Sequence, residues 1–221
     1  MLDARGEGAP RLVHADVHLL VWDKPSGLHS VPAKPPATQD CLMARAELAY
    51  PGALLVHRLD RDTSGLVVMA RTRLAQRHLG WQFERRQVEK TYVARVAGTL
   101  TGEGGEVDLP LRVDWPNRPR QMVAEDGKPS RTLWRVLDRE SGDGGESGGG
   151  GATRVELTPL TGRSHQLRVH MLSLGHPILG DTLYGDPSAD ATARLQLHAA
   201  RLAFRHPDGG AMVEFHSAPP F

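Results

Sequence analysis

Val56-His57-Arg58-Leu59-Asp60-Arg61-Asp62-Thr63-Ser64-Gly65-Leu66 is the stretch on which the fold turns. Leu54, Leu55 and Val56 enter it as a short apolar run, and Leu66-Val67-Val68-Met69-Ala70 leaves it as another. The pattern predicts two buried strands flanking a polar turn that holds two aspartates and two arginines. Thr63, Ser64 and Gly65 are turn formers, so the bend is expected directly after the acidic pair. By the strand period of two, Arg58 and Asp60 point to one face. A carboxylate wedged among arginines at the mouth of two apolar strands is costly unless it is paired, and such a site can keep it ionised while partly dehydrated. A solvated turn carrying surface ion pairs is the other reading of the same residues, with Arg58 pairing Asp62.

At 221 residues the chain suffices for one domain with a sizeable core. No apolar run reaches membrane-spanning length, and residues 1–10 carry no apolar signal core, so neither a membrane partner nor export is expected. The one cysteine, Cys41, can form no internal disulfide, which fits a cytoplasmic location. The net charge is only +1, from 27 basic and 26 acidic residues, so any attraction to nucleic acid must come from local clustering. Lys24, Lys34, Lys90 and Lys128 are the only lysines. The remaining positive charge is arginine, which suits bidentate phosphate contact, although a compositional bias explains it equally well.

Residues 1–12 read as a mobile tail. Leu19–Val21 reads as a strand, and Lys24-Pro25-Ser26-Gly27 as a turn in which Lys24 is either functional or simply solvated. Thr38 is the expected N-cap of a first helix, with Cys41, Leu42, Arg45, Leu48 and Ala49 on one face and Cys41 buried as a small hydrophobe. Thr72 is expected to cap a second helix whose inner face is Ala75, Leu79 and Phe83, with Arg73, Arg77, Arg85 and Arg86 on or near its outer side, a cluster that either touches RNA or is a solvated face, the solvated face being the favoured reading. Tyr92, Ala94 and Val96 share one face of a strand that ends at Gly98. Residues 105–140 alternate short apolar runs with turns, as antiparallel strands do. Within them, Trp115-Pro116-Asn117-Arg118-Pro119-Arg120 is either an RNA-contacting loop or a plain hairpin tip. Ser141–Gly151 is a flexible connector between strands at 131–140 and 153–160. Ser164 is the expected cap of a third helix with Leu167, Met171, Leu172 and Leu174 inward and its end at Gly175. His165 and His170 are five apart, with no partner motif, so no metal site is expected. Residues 194–216 form two strands around a His206-Pro207-Asp208-Gly209 turn.

His57-Arg58-Leu59-Asp60 followed by Thr63-Ser64-Gly65 resembles the catalytic motif of the RluA family of pseudouridine synthases. Lys24-Pro25-Ser26-Gly27-Leu28 with Pro32 resembles that family's first motif. Tyr92 stands where the family has a tyrosine, and Gly162-Arg163-Ser164-His165-Gln166-Leu167-Arg168 with Leu174-Gly175-His176-Pro177-Ile178-Leu179-Gly180-Asp181 matches its later motifs. The resemblance runs over about residues 16–217. It implies a pseudouridine synthase fold, α+β, with a mainly antiparallel mixed central sheet and flanking helices. It also implies a single catalytic domain over 13–221 with no S4-type RNA-binding domain before it. Asp60, Tyr92 and Arg168 are then catalytic, and Arg58 is linked to base flipping. His57, Arg163, Arg118 and Arg120 are further candidate RNA contacts. A bidentate or near-bidentate Asp60–Arg168 pair is expected. The implied partner is RNA, a tRNA anticodon stem-loop and 23S rRNA. No cofactor, no metal and no obligate protein partner are expected, and the chain should act as a monomer.

Two other functions compete. Asp60-Arg61-Asp62-Thr63, with Gly180-Asp181 and Asp186, imitates the motifs of Mg²⁺-dependent aspartate-nucleophile phosphatases of the haloacid dehalogenase type. That chemistry needs a parallel sheet with an apolar strand before the nucleophile, whereas residues 90–160 read as antiparallel. A non-catalytic RNA-binding module would use the arginines and Trp115 but leave Asp60, Tyr92 and Arg168 without a purpose.

Overall fold

The computed structural model describes residues 8–32, 39–140, 151–185 and 194–221. In chain order its strands and helices are β1 (Arg11–Ala15), β2 (Leu19–Lys24), α1 (Leu42–Ala49), β3 (Leu54–Leu55), β4 (Ser64–Ala70), α2 (Arg73–Glu84), β5 (Glu89–Ala97), β6 (Gly104–Asp108), β7 (Leu111–Val113), β8 (Gln121–Val123), β9 (Arg131–Glu140), β10 (Ala152–Pro159), α3 (Gln166–Ser173), β11 (Leu197–Arg205) and β12 (Met212–His216). The strands form a mostly antiparallel mixed sheet, with helices packed on apolar faces. The chain divides into two units, Met1–Lys90 with His198–Pro220, and Thr91–Leu197 with Phe221.

The first unit is centred on β4, whose seven residues are all buried. β2 runs antiparallel along it from Leu19↔Ala70 to Lys24↔Gly65, and β1 covers the outer edge of β2. The two residues of β3 pair with Met69 and Ala70. At the other end, His198 and Ala199 of β11 pair in parallel with Ser64 and Gly65, and β12 closes β11 as a hairpin. Gly65 has φ +110, and a Cβ there would lie 2.4 Å from the carbonyl oxygen of Ala199. Only glycine permits that approach. Ser64 and Gly65, expected in the turn, are therefore strand residues, because β4 needs them to meet β11. α2 lays Ala75 and Leu79 on the core of Leu19, Val21, Leu66, Val68 and Phe204, with Phe83 partly buried beside them. Thr72 caps it, its hydroxyl accepting from the Ala75 amide at 3.1 Å. The side-chain amide of buried Gln82 exchanges two 2.8 Å bonds with the backbone of Arg205, which ties α2 to the end of β11.

Two expectations in this unit change. The cap of α1 is Cys41, whose Sγ accepts from the Ala44 amide, and not Thr38, which lies outside the described residues. The helix buries Leu42 and Ala46, and Leu48 is exposed, because a helix of two turns starting at Leu42 puts 42 and 46 inward. Arg11 and Leu12, read as tail, belong to β1.

In the second unit the order β5-β10-β9-β6 is antiparallel throughout. Ala94 and Val96 of β5, Val155 and Leu157 of β10, Val136 of β9, and Leu167 and Met171 of α3 share one core, with Tyr92 against it. β9 and β10 occupy nearly the predicted ranges; of the Gly-rich connector, 141–150 lies outside the described residues. β7 and β8 form a separate hairpin around a one-turn 3-10 helix, Trp115–Asn117. α3 is preceded by His165 at φ 54 and has no side-chain cap, in contrast to the expected Ser164 cap. Gln166, the first residue of α3, instead ties down the loop before the helix. Its Oε1 accepts from the Thr161 hydroxyl at 2.7 Å and the Arg163 amide at 3.0 Å.

Candidate active site

The loop carrying Asp60 is built from below by the turn after β2. Lys24 is fully buried, and its ammonium donates to the carbonyls of Pro25 and Leu28, both at 2.8 Å, and of Arg61 at 2.9 Å. A buried ammonium is tolerable only when its donors are so engaged. The solvated-lysine reading therefore falls. Ser26 donates to the carbonyl of Asp62 at 2.7 Å. Ser30 exchanges both bonds with the backbone of Leu59, donating to its carbonyl at 2.8 Å and accepting from its amide at 3.1 Å. Residues 59, 61 and 62 are thus each held from the 24–30 turn, with the half-buried Asp60 between them.

Residues 56–60 form no strand; within them Ser30 takes both backbone groups of Leu59 from the side, where a sheet neighbour would otherwise sit. Outside a strand, Arg58 and Asp60 are not bound to share a face. Arg58 is exposed and has no ion pair among the described residues; Asp62 is gripped by Arg61, at 2.8 and 3.0 Å. His57 is turned into the unit. Its Nε2 accepts from the Val68 amide at 3.0 Å, and its ring stacks on Phe83 with centroids 4.5 Å apart. Burial, and then the nearby Lys90 charge, push its pKa down to about 3, so the ring is neutral. Its position makes it a prop for the loop.

In the second unit, Arg168 is 3% exposed and forms a two-bond pair with the fully buried carboxylate of Asp181, at 2.7 and 2.5 Å. One Asp181 oxygen also accepts from the amides of Leu183 and Tyr184, at 2.9 and 3.0 Å. Tyr184 stands over the Arg168 guanidinium, 5.1 Å from its ring centre, and over Arg120 at 5.2 Å. The Tyr184 hydroxyl accepts from the Gln121 amide at 2.6 Å and lies 2.7 Å from His165 Nδ1. Burial raises its pKa, so it stays a neutral phenol able to donate to that nitrogen. One network therefore joins Arg168, Asp181, Tyr184, His165 and Arg120. Asp181 takes two of the five guanidinium donors of Arg168. Arg163 donates to the carbonyl of Pro129 at 3.3 Å. Arg118 lies flat over the exposed Trp115, 3.4 Å from the ring centre. Tyr92 is partly buried on β5, opposite Leu157 of β10.

Asp181 and Tyr184 were not singled out as site residues from the sequence. The available signal was an aspartate two and three residues before Leu183 and Tyr184, a spacing that suits a carboxylate accepting from the turn amides. Asp181 orients Arg168 through both oxygens and holds the 183–184 turn through one of them. Among the described residues no group of three or more His, Cys, Asp or Glu side chains is placed to hold a metal ion. The antiparallel order of β5-β10-β9-β6 likewise departs from the parallel sheet of the phosphatase reading.

The mixed sheet and the succession of motifs define a class, confirmed by a family model described as RNA pseudouridylate synthase that matches residues 18–173. The chain belongs to this family of isomerases. It is 49% identical over 212 residues to the dual-specificity RNA pseudouridine synthase RluA of Yersinia pestis, covering 95% of this chain and 99% of that one. It is 48% identical to the RluA of Escherichia coli strain K12, with 95% and 93% covered. Among solved structures it is similar to human RNA pseudouridylate synthase domain containing 1, with a TM-score of 0.80 and 29% identity over 97% of this chain and 86% of that one. No helix among the described residues is long and apolar enough to cross a membrane.

Proposed function

We propose that this pseudouridine synthase isomerises uridines in two RNAs, a tRNA anticodon stem-loop and 23S rRNA, and does so in the cytoplasm as a monomer. The observation that carries the reading is the near-complete match to relatives named as dual-specificity RluA enzymes. The reaction breaks the N1–C1′ bond, turns the uracil and joins C5 to C1′; the C5 proton is lost and N1 gains one. Nothing is oxidised, reduced or hydrolysed overall, so side chains suffice.

Asp60 is the carboxylate that acts at C1′ or at the proton beside it. Its loop is supported through both neighbours, which suits a group that must be held in place while a base turns. Tyr92 supplies a surface for the free uracil and a phenol for the C5 proton. Arg168, oriented by Asp181, is the cation that keeps Asp60 ionised in a dry site. Arg58 fills the gap left by the flipped base, and Arg118, Arg120 and Arg163 contact the RNA around it. His57 acts indirectly, by seating the loop.

Incubation with unmodified tRNA and 23S rRNA transcripts, followed by mapping at single-nucleotide resolution, tests the substrate assignment. Pseudouridine in both supports it, and product in one RNA alone overturns dual specificity. Asp60→Asn should abolish turnover and leave RNA affinity within a few fold, since only one oxygen is exchanged for an amide. Robust product from that variant would remove Asp60 from the chemistry.

A further inference from the structure

Most arginines with defined partners in this protein are neutralised by carboxylates: Arg11 by Asp23, Arg45 by Asp40, Arg95 by Glu140, Arg135 by Glu156 and Arg201 by Glu214. α2 breaks that habit. Arg73, Arg77, Trp81 and Arg85 follow one another at intervals of four along the helix and its C-cap, and all are exposed. None of these three arginines, nor the adjoining Arg86, has a carboxylate partner among the described residues. The guanidinium of Arg85 lies over Trp81, 4.7 Å from the ring centre. The same stretch, residues 73–86, holds one acid, Glu84, against four arginines, in a chain whose net charge is +1. Trp81 at 43% and Leu74 at 68% exposed add apolar surface beside the charge.

The helix is fastened to the catalytic loop's own segment. Gln76 Nε2 donates to the carbonyl of Leu55 at 2.8 Å, and Phe83 stacks on His57, next to Arg58. Four residues of helix rise about 6 Å, close to the distance between successive phosphates on one strand. A guanidinium ladder at that spacing fits a run of phosphates, and the indole gives the end of the ladder a flat, weakly hydrated face.

We propose that the outer face of α2, through Arg73, Arg77 and Arg85, binds the phosphate backbone of substrate RNA beyond the loop that holds the target uridine. The occupant is nucleic acid, because the face offers exposed guanidinium groups at phosphate spacing that have no carboxylate partner among the described residues. This rests on the protein being an RNA pseudouridine synthase.

The test compares wild type with the triple variant Arg73→Gln/Arg77→Gln/Arg85→Gln on an unmodified tRNA transcript and on its isolated anticodon stem-loop. Three lost phosphate contacts lower the slope of log affinity against log salt by about 2.7. Over a fourfold rise in salt, wild-type affinity for the full tRNA then falls about forty-fold further than the variant's. KM for the tRNA rises in the variant, and the difference shrinks on the short stem-loop. Arg77→Gln alone should lower the slope by about 0.9, which keeps the question answerable if the triple variant folds poorly. An unchanged slope and KM overturn the proposal and reassign the face, for instance to an acidic protein. Binding is read in the Asp60→Asn background, so it is scored even if wild type makes no pseudouridine in these RNAs.

Discussion

Lys24→Met removes the ammonium under the Asp60 loop while keeping the side chain's length. Three backbone carbonyls, of Pro25, Leu28 and Arg61, lose a donor in a place without solvent. Each buried acceptor left unsatisfied costs about 1–3 kcal/mol, a gross loss of about 3–9. Methionine needs no such donors, and the dehydration of an ammonium disappears with it, which offsets part of the loss. The net expectation is about 3–5 kcal/mol, the usual cost of removing one partner from a buried charged network. With a slope of about 2 kcal/mol per molar urea, the unfolding midpoint falls by about 2 M. The second readout is turnover at low urea, where the variant is still folded. The carbonyl released at Arg61 is the next residue's to Asp60, and a shift of about 1 Å at a reacting group is worth about 100-fold in rate. A variant whose stability stays within about 1 kcal/mol of wild type, or that turns over normally, refutes the idea that Lys24 supports the Asp60 loop.

Asp181→Asn leaves the buried Arg168 with a neutral partner; stability should drop by about 3–5 kcal/mol, and turnover should fall more than RNA affinity, as urea titration and single-turnover assays will show. His57 is held neutral, with its folded pKa near 3 against 6.5 when unfolded. The unfolded state therefore binds more protons between those values, and the contribution of His57, whole above pH 6.5, is lost as pH falls toward 3. Between pH 6.5 and 5 this is about 2 kcal/mol; His57→Gln keeps an acceptor for the Val68 amide but cannot titrate, so its stability should fall less over that range, and equal slopes for the two proteins would count against the assignment. Arg58→Ala should slow modification of structured RNA far more than of a substrate whose target base is already unstacked, since a few kcal/mol of unstacking is no longer offset; equal loss on both substrates would take Arg58 out of base flipping.

Local rules read the regular parts of this chain well. Thr72 before Ala75 and Leu79, the Tyr92-Ala94-Val96 face and the paired runs at 131–140 and 152–159 each follow from spacing alone, because neighbours in sequence decide them. Where distant residues decide, the spacing misled. Gly65 looks like a turn residue until Ala199 arrives beside it. Residues 56–60 look like strand until Ser30 takes both backbone groups of Leu59 from the side. Leu48 looks inward-facing until Leu42 and Ala46 take the buried side of α1, which leaves it on the opposite side. The candidate site shows the same division. Motif spelling singled out Asp60, Tyr92 and Arg168, but the residues that hold them, such as Asp181, Tyr184 and Ser30, are visible only through contacts between segments far apart in the chain.

The junction of β4 with β11 also sets an order of events during synthesis. Ser64 hydrogen-bonds His198 at 2.8 Å across 134 residues of chain. At about 5–20 residues per second, β4 waits on the order of ten seconds for that neighbour to leave the ribosome. Until then its apolar strand has one flank covered by β2 while the Ser64-Gly65 end lacks its partner. The entire second unit is made during this interval and can fold first. A nascent chain thus carries a bare strand edge next to Asp60, the proposed catalytic aspartate, the kind of edge that chaperones shield and that pairs wrongly with other chains. Slow decoding anywhere between codons 70 and 198 lengthens the exposure, so synonymous changes in that interval should alter the yield of active enzyme without altering a single residue.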